Sequence, residues 1–269
     1  MTDVRAEYER DGYVIVRGAM PRVVTDAART AVGAGTIVVV DSEGRRQELN
    51  VWTDCGDDLL GMVPRSDTMV QLAEQLIGEP VGHWHSKISW KRPGSAGTWD
   101  WHQDFGFWIE EGVGRPAMTT VSIALDHQDT TNGCLRVIPG SHRAGDLPHP
   151  QIGAGRGADP EQVASLIDTH GVVDLVLEPG DLVAFHCRTL HGSGPNQSER
   201  DRAILHCSYN ALTNVPTNPF FPGHLTTPID RVADAELFRG SWPAVSCGSR
   251  FIPAAENGYV NEGYTVLDG

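Results

Sequence analysis

Val172-Val-Asp-Leu-Val-Leu-Glu-Pro-Gly-Asp-Leu-Val-Ala-Phe-His186 is two short apolar runs joined by Glu178-Pro-Gly-Asp181. Proline at the second position of that tetrapeptide and glycine at the third are what a type II turn requires, since proline fixes a negative φ and glycine accepts a positive one. The stretch therefore reads as strand, tight reversal, strand. The same texture starts at Val81, with short strands expected at 81–91, 99–105, 118–126, 134–138, 172–177, 181–186 and 202–209 and Gly, Pro, Asn and Asp between them. Such spacing predicts an antiparallel sandwich or barrel and argues against a succession of βαβ units.

Outward from this β region, Gly12-Tyr-Val-Ile-Val-Arg-Gly18 is a β-branched run bounded by glycines and suits a first or edge strand. Pro21 to Val32 is expected to be helical, with Val24, Ala27, Ala28 and Ala31 on one face and Gly33 and Gly35 as stops. A second helix is expected over 67–77, burying Met69, Leu72, Ala73, Leu76 and Ile77, with Gly78 as its C-cap. Together they make residues 20–80 a helical buttress for the sheet. In the long 140–171 connection, Asp159 followed by Pro160 marks the start of one short helix, and this connection is the expected lid. One domain, 1–269, is the expectation for a mainly β chain of this length with flanking helices.

The chain carries 35 acidic against 21 basic residues, a formal charge of −14, and its pI is near 5.1. Phosphate neutralisation needs clustered Lys and Arg, so a nucleic-acid partner is excluded and a small-molecule substrate is favoured, with a slight leaning to a cationic or zwitterionic one. The five cysteines, Cys55, Cys134, Cys187, Cys207 and Cys247, form no CxxC pair and predict buried thiols in a reducing compartment. The N-terminus is charged without an apolar stretch, and nowhere do eighteen apolar residues run together. These features give no membrane partner and a cytoplasmic enzyme as the expectation.

The chemistry is carried by Trp101-His-Gln-Asp-Phe105, answered downstream by Leu190-His-Gly-Ser-Gly194 and by Arg202. On a strand, His102 and Asp104 point to the same face because side chains alternate, so with His191 they could occupy one face of an octahedral Fe(II) and leave the other open. His-Gln-Asp occurs again at 127–129, but that copy runs into Asp129-Thr-Thr-Asn-Gly133 and belongs to a turn; His127 and Asp129 are expected to be structural or surface residues. His186 and His206 rival His191. The glycines after His191 leave room for a co-substrate, whereas His186 suits a hydrogen-bonded core position.

These residues resemble the phytanoyl-CoA dioxygenase family of Fe(II)- and 2-oxoglutarate-dependent oxygenases. The resemblance runs from Asp11-Gly-Tyr-Val-Ile-Val-Arg-Gly18 through Trp101–Phe105, Asn132-Gly-Cys-Leu135 and Ile138-Pro-Gly-Ser-His142 to His191–Gly194 and Arg202. It implies a double-stranded β-helix, the jelly roll shared with cupins, with iron, 2-oxoglutarate and O2 at its open end. It implies His102, Asp104 and His191 as metal ligands and catalytic centre, Arg202 as the bidentate partner of the distal carboxylate of 2-oxoglutarate, and Ser193 as a hydroxyl donor to it. The competing reading of Arg202 is a surface ion pair with Glu199 or Asp201.

Along His83-Trp-His-Ser-Lys-Ile-Ser-Trp-Lys91, alternation puts His83, His85, Lys87, Ser89 and Lys91 on one face and Trp84, Ile88 and Trp90 on the other. Relatives such as ectoine hydroxylase make Lys87 and Ser89 candidate co-substrate contacts and His85 a candidate substrate contact; a solvated edge face is the alternative. Trp108 matches an aromatic that meets a cationic substrate in such relatives, through cation–π attraction, and core packing is its alternative. Ser122 stands where many relatives carry an aromatic beside the co-substrate, a departure that puts the covering of that flank in question.

The resemblance implies oxidation of an unactivated C–H bond coupled to decarboxylation of 2-oxoglutarate to succinate, most simply hydroxylation of a small polar metabolite in biosynthetic tailoring. A halogenating, desaturating or cyclising reaction and a cupin-like metal-binding isomerase without 2-oxoglutarate are the alternatives. Halogenating relatives replace the carboxylate ligand by a small residue, so Asp104 argues for hydroxylation; Arg202 and Ser193 argue against the isomerase.

Overall fold

The computed structural model describes residues 3–32, 37–220, 222–245 and 251. Along the chain lie α1 (Val4–Asp11), β1 (Tyr13–Val16), α2 (Arg22–Ala31), β2 (Ile37–Val40), β3 (Arg46–Trp52), α3 (Leu59–Met62), α4 (Asp67–Ile77), β4 (Val81–Lys91) and β5 (Trp99–His102). They are followed by α5 (Phe105–Trp108), β6 (Met118–Ala124), β7 (Leu135–Val137), β8 (Gln151–Ile152), β9 (Gly155–Arg156), α6 (Pro160–His170), β10 (Val173–Asp174), β11 (Leu182–His186), β12 (His191–Ser193), β13 (Arg202–Ala211) and α7 (Asp234–Leu237).

Seven strands form the larger sheet in the order β1-β11-β6-β13-β4-β3-β2, and four form a smaller one in the order β10-β7-β12-β5; β8 and β9 make a separate hairpin. Every pairing is antiparallel. The two sheets face each other as a double-stranded β-helix, the expected jelly roll. The Glu178–Asp181 turn has Gly180 at φ +94° and a bond from Asp181 N to Glu178 O of 2.9 Å, as a type II turn demands. A side chain at Gly180 would also meet Met20 O at 2.1 Å, so only glycine fits there.

Period-two alternation divides the larger sheet between two interiors. Ile88, Trp90, Val121, Ile123, Leu182, Ala184, Leu205, Cys207 and Tyr209 pack against Tyr8, Val24, Ala28, Met69, Leu72, Ala73 and Leu76 of α1, α2 and α4. On the opposite face Ala124, Val183 and Phe185 meet Leu135, Val137, Leu175 and Leu177 of the smaller sheet's side. Helix α4 spans 67–77 and ends at Gly78 in the left-handed region, as its apolar periodicity predicts. Helix α2 stops at Ala31; the expected stops Gly33 and Gly35 lie outside the described residues. Asp159 caps α6 by accepting from Gln162 N, with Pro160 at the first helical position.

Three differences from the sequence reading have physical causes. Residues 20–80 hold the β2–β3 hairpin as well as helices, because Arg46–Trp52 finds a pairing partner in β4 that no local pattern announces. The run 172–177 keeps only Val173–Asp174 as ladder, with a further single bridge from Leu177 to Gln128. The run expected as a strand over 99–105 ends at His102 and turns into a helix, with consequences for the ligand geometry. Among the described residues Cys55, half-buried, and the buried Cys134, Cys187 and Cys207 form no disulfide with one another, and Cys247 lies outside the described residues. Among the described residues no helix is long and apolar enough to cross a membrane.

Candidate metal and co-substrate site

His102, the last residue of β5, pairs in register with His191, the first of β12, so two strands of the smaller sheet bring the imidazoles together at 4.1 Å between centroids. Asp104 reaches them by a different route from the one alternation predicts. It lies just beyond the strand with helical dihedrals (φ −56°, ψ −39°) at the start of α5, and its carbonyl accepts from Phe107 N and Trp108 N. The strand-to-helix turn swings the carboxylate back, placing Oδ1 3.8 Å from His102 Nε2 and 3.7 Å from His191 Nε2. All three ligand atoms lie within 4.8 Å of one another, in buried positions.

Each imidazole is oriented through its other nitrogen. His102 Nδ1 donates to Asp100 O at 2.7 Å and His191 Nδ1 to Thr189 O at 3.0 Å, which leaves Nε2 of both as lone-pair donors toward a metal. Burial and the neighbouring His191 push the His102 pKa well down; burial does the same for His191 against the opposing pull of Asp104. Both rings are therefore neutral, the ligating form. Gln103, fully buried between the ligands, donates to Gly145 O and Arg188 O and accepts from Leu147 N, tying the turn to the start of the 140–171 segment and to the loop before His191.

The cleft beside the triad is walled by Lys87, Ser89, Trp99, Thr120, Ile204 and His206 among others. Arg202 and Ser193 also line it. Arg202 is buried, and Gly133 O accepts from its Nε at 3.1 Å and Nη2 at 2.5 Å. Among the described residues it makes no ion pair; Asp201 pairs instead with Arg29 and Arg92. Burial lowers the Arg202 pKa to about 10, still charged at neutral pH. Ser193 Oγ is buried without a hydrogen-bond partner. A buried guanidinium without a counter-ion and an orphaned hydroxyl in the cleft that holds a two-histidine, one-carboxylate donor set fit an Fe(II) chelated by a dicarboxylate.

Lys87 and Ser89 face the cleft, but the strict alternation expected along β4 fails at its start. The β4–β13 register shifts between Ser208 and Tyr209, which pair with His85 and His83, so Trp84 is an extra residue on β4. This bulge turns His83 toward Tyr209 and Cys55 on the helix-covered face, and puts Trp84 with Trp108 and His224 on the inner one. His85 packs edge-on to Trp108 at 5.8 Å. His85 and Trp108 are both buried and do not line the cleft; they form the aromatic cluster that adjoins it.

Thr120 and Ser208 escaped the sequence reading, and His206 entered it only as a rival to His191. Thr120 Oγ1 donates to Asp104 Oδ2 at 3.0 Å and meets Ser208 Oγ at 3.0 Å, and His206 Nδ1 lies 2.7 Å from Ser122 Oγ. The signal was present: His206 and Ser208 stand at even spacing from Arg202 on β13, and Thr120 and Ser122 share parity on β6. Ser122 is thus the partner of an imidazole that lines the cleft. The second His-Gln-Asp copy lies away from the site: His127 meets Glu178 and Asp129, whose carboxylate also takes Thr131, Asn132 and Arg200.

A double-stranded β-helix that gathers two histidines and a carboxylate beside a buried arginine is the scaffold of non-haem iron oxygenases. The phytanoyl-CoA dioxygenase family model matches residues 8–204, and the chain belongs to this family of Fe(II)- and 2-oxoglutarate-dependent oxygenases. L-proline trans-4-hydroxylase of Streptomyces griseoviridis is 36% identical over 189 residues, covering 64% of this chain and 70% of that enzyme. Ectoine dioxygenase of Sphingopyxis alaskensis is 28% identical over 242 residues, covering 80% and 77%. The structure of EctD from S. alaskensis with bound Fe superposes with a TM-score of 0.70 at 25% identity over 87% of each chain.

Proposed function

We propose that this oxygenase hydroxylates a small, polar, carboxylate-bearing metabolite, of the free amino-acid or compatible-solute kind, in biosynthetic tailoring. His102, Asp104 and His191 are the metal ligands in this reading, Arg202 and Ser193 take the distal carboxylate of 2-oxoglutarate, and Lys87 and Ser89 flank it. His85, with Trp108 behind it, is assigned to the substrate side. The observation that carries the reading is the cleft itself: one buried donor triad, one buried guanidinium without an ion pair and one orphaned hydroxyl. The named relatives act on L-proline and ectoine, which supports a substrate of that size and polarity. The acidic charge and the free thiols support a cytoplasmic setting.

When bound, Fe(II) with 2-oxoglutarate and O2 supplies the oxidising power that replaces a C–H hydrogen by hydroxyl while the co-substrate leaves as succinate and CO2. The protein's own part is geometric and electrostatic. Asp100 O and Thr189 O fix the two imidazole rings, Thr120 fixes the carboxylate, and Arg202 sets the direction in which the dicarboxylate lies. Trp99, Phe185 and Leu135 wall the cleft with apolar surface and keep bulk water from it. Asp104 in the ligand position supports hydroxylation over chlorination.

Anaerobic titration of the Fe(II)-loaded protein with 2-oxoglutarate is expected to give a weak visible charge-transfer band. Succinate release is then expected to rise above the uncoupled rate with one member of a panel that includes L-proline and ectoine, and to vanish in Asp104→Ala. Absence of the band would sink the oxygenase assignment, and chlorinated product from the wild type would replace hydroxylation by halogenation.

A further inference from the structure

Lys91 is fully buried at the end of β4, directly opposite Arg202 in the β4–β13 register. Its Nζ donates to Gly97 O at 2.7 Å and, like Arg202, it makes no ion pair among the described residues. Two basic side chains thus lie side by side in the interior, neither in an ion pair among the described residues, although the charges of Asp41 and Asp126 act on Lys91 and Arg202 respectively. Their backbone environment is shared: Gly133, whose carbonyl holds Arg202, has no side chain, and a Cβ there would lie 2.9 Å from Lys91 Cδ. The lysine stem therefore runs against the same backbone that orients the arginine. Two adjacent buried cations, neither of them in an ion pair, are unfavourable, and one of them is relieved by giving up its proton.

We propose that Lys91 is a second, proton-gated cation of the co-substrate site: it stands behind Arg202 and takes up a proton from solvent as a dicarboxylate settles on Arg202. Lys91 does not line the cleft, so it acts through Arg202 and is a positioning residue. This rests on the assignment of Arg202 as the 2-oxoglutarate anchor.

The charge environment gives the sign. Burial, then the repulsion of Arg202, pushes Lys91 down to about 6, so in the free enzyme it is largely an amine at neutral pH. A carboxylate on Arg202 offsets that repulsion, though not the larger effect of burial, and raises the Lys91 pKa in the complex, so that a larger fraction of Nζ is ammonium near neutral pH. Asp41 and Arg45 from the β2–β3 turn also face Lys91; Asp41 is held below its ordinary range, despite burial, by bonds from Arg45 and Thr98, and stays ionised throughout. Lys87 shares its strand face. Burial first, then Lys87, puts His206 in the cleft and His85 beside it well below 6.5, so neither competes for the proton above that pH.

Isothermal titration of the Mn(II)-loaded enzyme with 2-oxoglutarate, in pairs of buffers of different ionisation enthalpy between about pH 6 and about pH 8, reads the uptake directly. The expected result is net uptake of a fraction of a proton, at most one, per 2-oxoglutarate near pH 7, with Kd rising by up to about tenfold per pH unit between the free-enzyme pKa and the higher pKa of the complex. Lys91→Met and the polar Lys91→Gln, each checked for folding by thermal melting, are expected to bind with no uptake and a flat Kd. Wild-type binding without uptake would overturn the proposal while leaving Arg202 as anchor, as would undiminished uptake in either folded variant. No binding at any pH would remove the co-substrate reading together with it.

Discussion

Thr120 Oγ1 donates to Asp104 Oδ2 at 3.0 Å, so the carboxylate shows its other oxygen, Oδ1, to both imidazoles. Ser208 Oγ, 3.0 Å from the same hydroxyl, completes a buried chain from β13 through β6 to the proposed metal ligand. A ligating carboxylate held in this way is fixed in rotation, and loss of such a support typically weakens metal binding about 10- to 100-fold. Thr120→Val keeps the volume and removes the donor. It is expected to lower Fe(II) or Co(II) affinity within that range, measured by competition with a chelator, with little change in 2-oxoglutarate affinity once metal is saturating. Wild-type metal affinity in this variant would show that the hydroxyl does not orient Asp104.

Gln103 is expected to matter for a different reason. Its side chain makes three hydrogen bonds at 2.8 to 2.9 Å, a buried one from Leu147 N and two partly buried ones to Gly145 O and Arg188 O. Leucine in its place would strand those backbone groups, each at a cost of about 1–3 kcal/mol where no water replaces the partner. Gln103→Leu should therefore lower unfolding free energy by at least about 2 kcal/mol and weaken metal binding as well, since the turn that carries Asp104 and the loop that leads to His191 lose their common tie. Chemical denaturation with and without metal separates the two effects. A variant with wild-type stability would mean that the clamp is redundant.

The legibility of this chain in its sequence follows the range of the interactions. Helix α4, the Glu178–Asp181 turn and strand β4 are written in local patterns of apolar spacing, proline and glycine, and they stand where those patterns put them. The triad was legible as residue types, but its geometry was not: alternation places Asp104 on a strand with His102, whereas the chain turns helical at Asp104 because Phe105–Trp108 buries its aromatics in a separate cluster. The face of Trp84 was hidden for a like reason, since a bulge is set by the register with β13 and leaves no trace in β4 alone. Thr120, Ser208 and His206 are ordinary residues made functional by neighbours some 80 to 90 positions away in sequence.

Arg202 should not tolerate lysine. Gly133 O accepts from Nε and Nη2, which fixes the guanidinium plane of a residue that lines the cleft. Lysine offers a single point charge on a flexible stem and, when buried beside Lys91, tends to lose its proton. Arg202→Lys is expected to weaken 2-oxoglutarate binding by about 10- to 100-fold, with metal affinity unchanged, in the same titration that measures the wild type. Retention of co-substrate affinity would move the carboxylate anchor away from Arg202.

His186 makes the fold itself pH-dependent. Burial first, then His142 and Arg188, pushes its pKa down to about 4, and Arg188 N donates to its Nδ1 at 3.0 Å, a bond that protonation of Nδ1 would abolish. The unfolded chain binds the proton near 6.5, the folded chain only near 4, so between these values the unfolded state holds more protons and stability falls as pH falls. The contribution is fully present above the unfolded value and is lost by the folded one, at most about 3 kcal/mol and less to the extent that the partly exposed ring is screened. His186→Gln keeps an acceptor for Arg188 N and removes the titration. Urea unfolding midpoints of the metal-free proteins are expected to converge less steeply toward acid pH in the variant than in the wild type; parallel curves across that window would assign the acid sensitivity to other buried groups, His83 first among them, which burial lowers to about 3.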